Sequence, residues 1–381
     1  MSVSQDNLHL LQPFILPCGA TLKNRIAKAA MTERLAGRDS KANKWHTELY
    51  GKWGKSGAGL LITGNVMIDS RYKESSGNIV IEDESGLKEL QSLTANGLKS
   101  GNHLWAQINH PGRQATIFST FKPIAPSAVQ LKKLMLFAKP RAMTVEEIEN
   151  VIDRFVNTAV ICKKAGFTGV QIHAAHGYLL SQFLSPKTNL RNDEYGGSIE
   201  KRSRILLAVL GRIRTELGPH FPISVKLNSA DFQRGGFNED EALYVIENLH
   251  ELKIDLLEIS GGTYENTVFF TKRSERESTR KREAYFMEFA VKIRKLANIP
   301  LMVTGGFRTF DFCEQVLRNK ELDMIGFARP FLNDELFPSN FINGDSKRVE
   351  DANFNFKIRK LADFAEAGFY DYQIHQIAKD K

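Results

Sequence analysis

Two imidazoles and a phenol, His173, His176 and Tyr178, follow one another closely in the segment GVQIHAAHGYLLSQFLSPKTNLRNDEYGGSIEKRSR that starts at Gly169. An imidazole binds or exchanges a proton near neutral pH, and a phenol can serve as a hydrogen-bond donor or general acid. Taken singly, each is more often a hydrogen-bonded or packed structural side chain. The three together suit a site that stabilises a developing oxyanion and delivers a proton. An HxxH spacing can also supply metal ligands, but no third ligand stands nearby at a usual spacing.

These residues need an element to hold them. Gly169 to Ile172 is an apolar run too short for a helix and suited to a buried strand, so the triplet would sit where that strand runs out. The carboxyl ends of strands are where parallel α/β proteins place their chemistry. A polar stretch from Lys187 to Gly197 follows, and Ser198 is positioned to cap a helix from Ile199 to Leu217.

The same alternation runs along the whole chain. Strand-like runs are Arg25 to Met31, Gly59 to Thr63, His103 to Ile108, Gly169 to Ile172, Ile223 to Leu227, Leu256 to Ile259, Leu301 to Thr304 and Met324 to Phe327. Helical stretches lie between them, among them Lys44 to Ser56, Glu84 to Lys99, Thr144 to Ala165 with a capping-box Glu147, Glu239 to Leu252, Ala284 to Leu296 and Phe310 to Arg318. Strands joined by crossover helices lie parallel, and eight such units close a barrel. The expectation is one α/β domain over 1–381, a single (β/α)8 TIM barrel. Residues 1–24 form an N-terminal hairpin cap at its bottom, and 350–381 a C-terminal helical tail packed outside. The long connection from Asn109 to Arg141 would lie over the mouth.

The expected strand tips hold Ala30, Met31 and Thr32; Asn65; Gln107; His173, His176 and Tyr178; Lys226; Ser260 with Gly261 and Gly262; Gly305 and Gly306; and Ala328 with Arg329. Such amides, hydroxyls, imidazoles, cations and glycines suit a flat polar heterocycle bearing a phosphate. The last two tips are where barrels commonly bind phosphate, through backbone amides and the start of a short helix, although glycines there can also simply make tight turns. No GxGxxG follows a strand, which argues against a separate dinucleotide-binding domain.

Composition sets outer limits. The 381 residues are 42% hydrophobic and 25% charged, ordinary for a globular protein. The net charge of +8 comes with no nucleic-acid motif, and excess charge mostly serves solubility. No apolar run has the length of a membrane span, and the amino terminus lacks the order of a signal peptide. Cys18, Cys162 and Cys313 are few and dispersed, consistent with a reduced, cytoplasmic setting.

The central segment, HAAHGYLLSQFLSP followed by N.R.DEYGGS, resembles the signature of the Old Yellow Enzyme family, FMN-dependent ene-reductases built on a (β/α)8 barrel. Similar blocks follow in order: LKNRI, GLLITG, QINHPGR, IAPSA, RAMTVEEI, REAYFMEFA, TGGF and GFARPF. The resemblance implies that Ala30, Met31, Thr32, Asn65 and Gln107 surround the isoalloxazine ring and that Lys226 lies near flavin N1 and O2. Gly305, Gly306, Ala328 and Arg329 would hold the FMN phosphate. His173 and His176 would bind the oxygen of an enone-type substrate, Tyr178 would protonate its α-carbon, and NAD(P)H would be the reductant. Homo-oligomerisation is left open.

The chain departs from the pattern at three positions: Lys226 stands where arginine is common, Ala30 where proline is frequent, and Ala328 where glycine is frequent. Lysine keeps the charge but not the two-pronged hydrogen bonding. The basic segment Thr271 to Arg282 is either a solvated loop or, through Lys272, Arg273 and Arg280, a contact for the phosphates of NADPH. Rival activities are a flavin-bound NADH oxidase without a dedicated alkene substrate, and a metal-dependent barrel hydrolase that uses the histidine pair as ligands.

Overall fold

The structure, a computed structural model, describes residues 8–132, 135–260, 277–343 and 362–379. Its centre is a closed parallel barrel of eight strands: β1 (Ile26–Lys28), β2 (Leu60–Met67), β3 (His103–Asn109), β4 (Gly169–Ala174), β5 (Ile223–Asn228), β6 (Leu256–Ser260), β7 (Leu301–Thr304) and β8 (Met324–Phe327). Closure comes from β1, which pairs with β8 through Gly326↔Ala27 and with β2 through Ala27↔Leu60.

Apart from buried polar positions such as Gln107, Gln171, Lys226 and Glu258, each strand is a short apolar run because it is buried on both faces. Outward side chains such as Ile26, Leu61, Val225, Leu257 and Ile325 join the large core shared with the helices. Inward ones at the amino-terminal end, including Ala27, Leu60, Trp105, Leu256, Met302 and Met324, form a second apolar cluster. The antiparallel hairpin Phe14–Ile15 with Thr21–Leu22 closes that end, inserting Leu16, Cys18 and Leu22 into the cluster. The Cys18 amide anchors it by donating to Asp255 Oδ1 at 2.8 Å. The barrel is therefore dry at the bottom and polar toward the top.

The longer helices among the described residues are α1 (Lys44–Gly54), α2 (Leu87–Gly97), α3 (Val145–Lys164), α4 (Arg204–Leu217), α5 (Glu239–Glu251), α6 (Glu277–Leu296), α7 (Phe310–Arg318) and α8 (Ala362–Lys379). Thr144 and Glu147 form the expected capping box on α3. Three local expectations change. The first strand spans only Ile26–Lys28, and Ala30, Met31 and Thr32 belong to the loop beyond it. The helix foreseen from Ile199 to Leu217 is broken at Ser203 into Ile199–Arg202 and α4, and Ser198 makes no side-chain cap. The basic segment is not all loop, because Glu277 to Arg282 open α6.

The terminal helix α8 docks on the barrel flank: Lys52 Nζ donates to Ile377 O at 2.6 Å, and Arg34 pairs with Asp371 at 2.5 Å. Among the described residues, no helix is long and apolar enough to cross a membrane.

Candidate active site at the barrel mouth

Two local devices bring the site residues together. In β2 the register against β3 shifts between Ile62 and Asn65, a bulge of the kind that re-aims side chains at barrel rims. Gly64 at that bulge lies so close to Met31 O and Thr32 Cα that any Cβ would collide with them. The absence of a side chain there lets the β1–α1 loop lie on β2 and brings Thr32 beside Asn65. After β4 the chain turns sharply at His176 (φ 60°) and Gly177 (φ 76°). A histidine with positive φ is uncommon and mildly strained. The turn folds His176 back over the end of the barrel, where its amide donates to Asn228 Oδ1 at 3.2 Å.

The triplet picked out in the sequence is brought together. The His173 and His176 rings meet edge to face with centroids 5.1 Å apart, and the Tyr178 ring lies 4.8 Å from His173. His173 Nδ1 is 2.8 Å from Asn65 Oδ1, His173 Nε2 is 3.1 Å from His176 Nδ1, and His176 Nε2 is 2.6 Å from Ser260 Oγ. Burial holds both imidazoles well below their ordinary pKa; His176 and Lys226 add to this at His173, and Lys226 at His176. Both are neutral at neutral pH and can act as hydrogen-bonding groups without a fixed charge.

Beneath them lies a buried polar layer. Lys226 Nζ pairs with Glu258 Oε1 at 2.8 Å, with side chains 6% and 0% exposed. Glu258 also accepts from Thr304 Oγ1 at 2.7 Å and from Gln171 Nε2 at 2.9 Å. Gln107 Nε2 donates in turn to Gln171 Oε1 at 2.7 Å. The registers Gln107↔Gln171, His173↔Lys226 and Lys226↔Glu258 place these groups across neighbouring strands. Lys226 and Gln107 are thus at the mouth, each held by a partner that the sequence does not announce.

The tips of β7 and β8 supply the other half. Gly305 and Gly306 have φ of 89° and 92°, and a Cβ on Gly305 would meet nothing within 4 Å, so the space above the backbone is open. Gly326 sits directly against Thr304, leaving no room for a side chain. Arg329 occupies the position before the short helix Pro330–Asn333 without capping it through its side chain, and its guanidinium lies 5.0 Å from the Tyr370 ring of α8. Exposed backbone with left-handed glycines beyond one strand, and an arginine just beyond its neighbour, suit a phosphate. Ala30, Met31 and Ala328 are partly exposed at the same end. Gly261, Gly262, Lys272 and Arg273 lie outside the described residues, as does the side chain of Arg280.

Sequence reasoning missed Glu74, on the loop after β2. Its carboxylate accepts from Thr32 Oγ1 at 2.7 Å, Asn65 Nδ2 at 2.8 Å, Asn78 Nδ2 at 3.3 Å and the Tyr178 hydroxyl. Nothing in the local run SRYKESS sets this acid apart from a solvated one. Among the described residues, no group of three or more His, Cys, Asp or Glu side chains stands close enough to hold a metal ion.

Known proteins are similar to this chain in both sequence and architecture. Residues 9–346 match the model of the NADH:flavin oxidoreductase / NADH oxidase family. The chain is 33% identical over 368 residues to the NADH-dependent flavin oxidoreductase iliE of Hypocrea jecorina, covering 91% of this chain and 92% of that protein. It is 31% identical over 333 residues to an NADPH dehydrogenase of Geobacillus sp., covering 86% and 92% respectively. The old yellow enzyme homologue of Zymomonas mobilis superposes with a TM-score of 0.76 at 26% identity, covering 93% of this chain and 98% of that one. The chain accordingly belongs to the NADH:flavin oxidoreductase / NADH oxidase family, that of Old Yellow Enzyme, and is an NAD(P)H-dependent flavin oxidoreductase using FMN.

Proposed function

We propose that this oxidoreductase reduces the activated C=C bond of α,β-unsaturated carbonyl compounds. The observation that carries the proposal is the meeting of the neutral His173 and His176 rings with the Tyr178 ring at the barrel mouth, 5.1 and 4.8 Å between centroids. The donors at the strand ends fit FMN: hydroxyl and amide groups on Thr32, Asn65 and Gln107, a buried ammonium on Lys226, and open backbone at Gly305. In this assignment Ala30, Met31, Thr32, Asn65 and Gln107 would border the isoalloxazine, and Lys226 would hold its N1 and O2 edge. Gly305, Gly306, Ala328 and Arg329 take the phosphate.

FMN reduced by NAD(P)H supplies hydride to the β-carbon. The protein's own part is to hold the carbonyl oxygen on the imidazole pair while negative charge builds there. Hydrogen-bond donors fixed in a water-poor site stabilise such charge far better than bulk water does. Tyr178 then gives its proton to the α-carbon as general acid. The neutrality of both histidines suits this role, because the oxygen receives a hydrogen bond without competing for a mobile proton.

The test is NADPH consumption under nitrogen with and without 2-cyclohexenone. The proposal expects the enone to drive consumption, with cyclohexanone formed mole for mole. Consumption that needs oxygen and does not respond to the enone would replace it with the NADH oxidase activity.

A further inference from the structure

The half-buried Glu74 lies outside every motif of the sequence, yet it touches three groups of the site at once. A carboxylate only accepts hydrogen bonds, so the Asn65 amide must turn its nitrogen toward Glu74, 2.8 Å away. The amide oxygen of Asn65 then faces the other way, 2.8 Å from His173 Nδ1. That oxygen is an acceptor as well, so the ring nitrogen beside it carries the proton. Because the His173 ring is neutral, its other nitrogen, Nε2, keeps a lone pair. His176 Nδ1, 3.1 Å from that lone pair, is left to donate.

We propose that Glu74 is a positioning residue: through the amide of Asn65 it sets which nitrogen of His173 bears the proton, and so which of the two rings presents an N–H where they meet. With Glu74 ionised and docked on Asn65, an oxygen accepting where the two rings meet finds one N–H, from His176. With the charge removed, Asn65 is free to turn over, its nitrogen donates to His173 Nδ1, and the ring proton moves to Nε2. His173 Nε2–H then faces His176 Nδ1, which accepts, the His176 proton moves to its Nε2 beside Ser260 Oγ, and the N–H where the rings meet comes from His173 instead. What each atom can donate or accept sets this pattern, whichever way an amide is oriented by convention. The proton's place on His173 stands by itself; that the donating ring faces a substrate oxygen rests on the function proposed above.

Glu74→Gln keeps the size of the side chain and removes its charge. The full-length, FMN-loaded protein is labelled with 15N at histidine, and long-range 1H–15N spectra distinguish protonated from bare ring nitrogens. His173→Gln identifies the signals of His173 by their loss. The wild type is expected to show a protonated Nδ1 and a bare Nε2 at His173. In Glu74→Gln the two signals shift in opposite directions as the proton moves to Nε2. Adding Asn65→Asp in the Glu74→Gln background restores an obligate acceptor beside Nδ1 and returns the wild-type pattern. Histidines outside the site serve as the check that the fold is intact. A protonated Nε2 in the neutral wild-type ring, or a His173 pattern that Glu74→Gln leaves unchanged, overturns the proposal. Turnover of 2-cyclohexenone is followed on the same samples. A wild type inert toward the enone whose His173 proton still moves in Glu74→Gln would remove the substrate assignment and leave that of Glu74 standing.

Discussion

Lys226 Nζ and Glu258 Oε1 stand 2.8 Å apart inside the barrel, on neighbouring strands in direct register, with almost no access to water. A buried pair of this kind contributes little net stability relative to an apolar pair, but removing one partner leaves an uncompensated charge. Glu258 is further held by Thr304 and Gln171, so the ammonium has a fixed address below the histidines.

Lys226→Met therefore strands the Glu258 carboxylate and is expected to destabilise the fold by about 3 kcal/mol or more. Lys226→Met combined with Glu258→Gln recovers a large part of that loss. Urea unfolding of the two single variants and the double variant checks this; additive losses would mean that the two groups do not interact.

Tyr178→Phe is expected to leave flavin reduction by NADPH unchanged and to slow reoxidation by 2-cyclohexenone by about 10²-fold or more, the usual weight of a general acid. Stopped-flow absorbance resolves the two half-reactions. Equal slowing of both would point to a packing role for this ring.

Lys28 is buried between β1 and α1, donating to Ile62 O at 2.8 Å and lying 4.4 Å from the Trp53 ring. Burial pushes its pKa down from 10.5 to about 8, against the attraction of Glu33. Between those values the unfolded chain holds the Lys28 proton and the folded chain does not, so stability rises with pH across that window. Relative to Lys28→Met, the wild type should gain up to about 1.4 kcal/mol per pH unit above pH 8, levelling off near the unfolded value. Unfolding midpoints of both proteins from pH 7 to 10 measure the effect, and parallel curves would contradict it.

Gly169→Ala would set a Cβ about 2.5 Å from Trp105 Nε1 at the packed bottom of the barrel. The collision involves a large buried ring rather than a flexible tip, and the expected cost is about 2 kcal/mol or more. Thermal unfolding reports it; an unchanged midpoint would show that the Trp105 indole can move aside.

Much of this architecture is legible in the chain because the barrel strands are buried on both faces, which turns each into a short apolar run between polar turns. Helix α7 and strands β7 and β8 have the expected bounds for that reason. The triplet at 173, 176 and 178 is legible because its residue types are rare at a strand end. Glu258 is not, because inside the run Leu256 to Ile259 it looks like a single polar interruption and its partner is on another strand. Glu74 is hidden for a similar reason: only the fold of the loop after β2 brings it to Thr32, Asn65 and Tyr178. The break at Ser203 likewise has no local signal, since the apolar spacing continues through it.

In the proposed function the imidazole pair and Tyr178 form an enone-reducing face beside the flavin. The most direct test of this is an anaerobic visible-absorbance titration of the purified protein, comparing wild type with the His173→Ala/His176→Ala variant. The wild type should be yellow, bleach with NADPH and regain colour on addition of 2-cyclohexenone, while the variant bleaches but regains colour at least about 10²-fold more slowly. A protein that retains no flavin, or a bleached wild type that regains colour only when oxygen is admitted, would contradict the account.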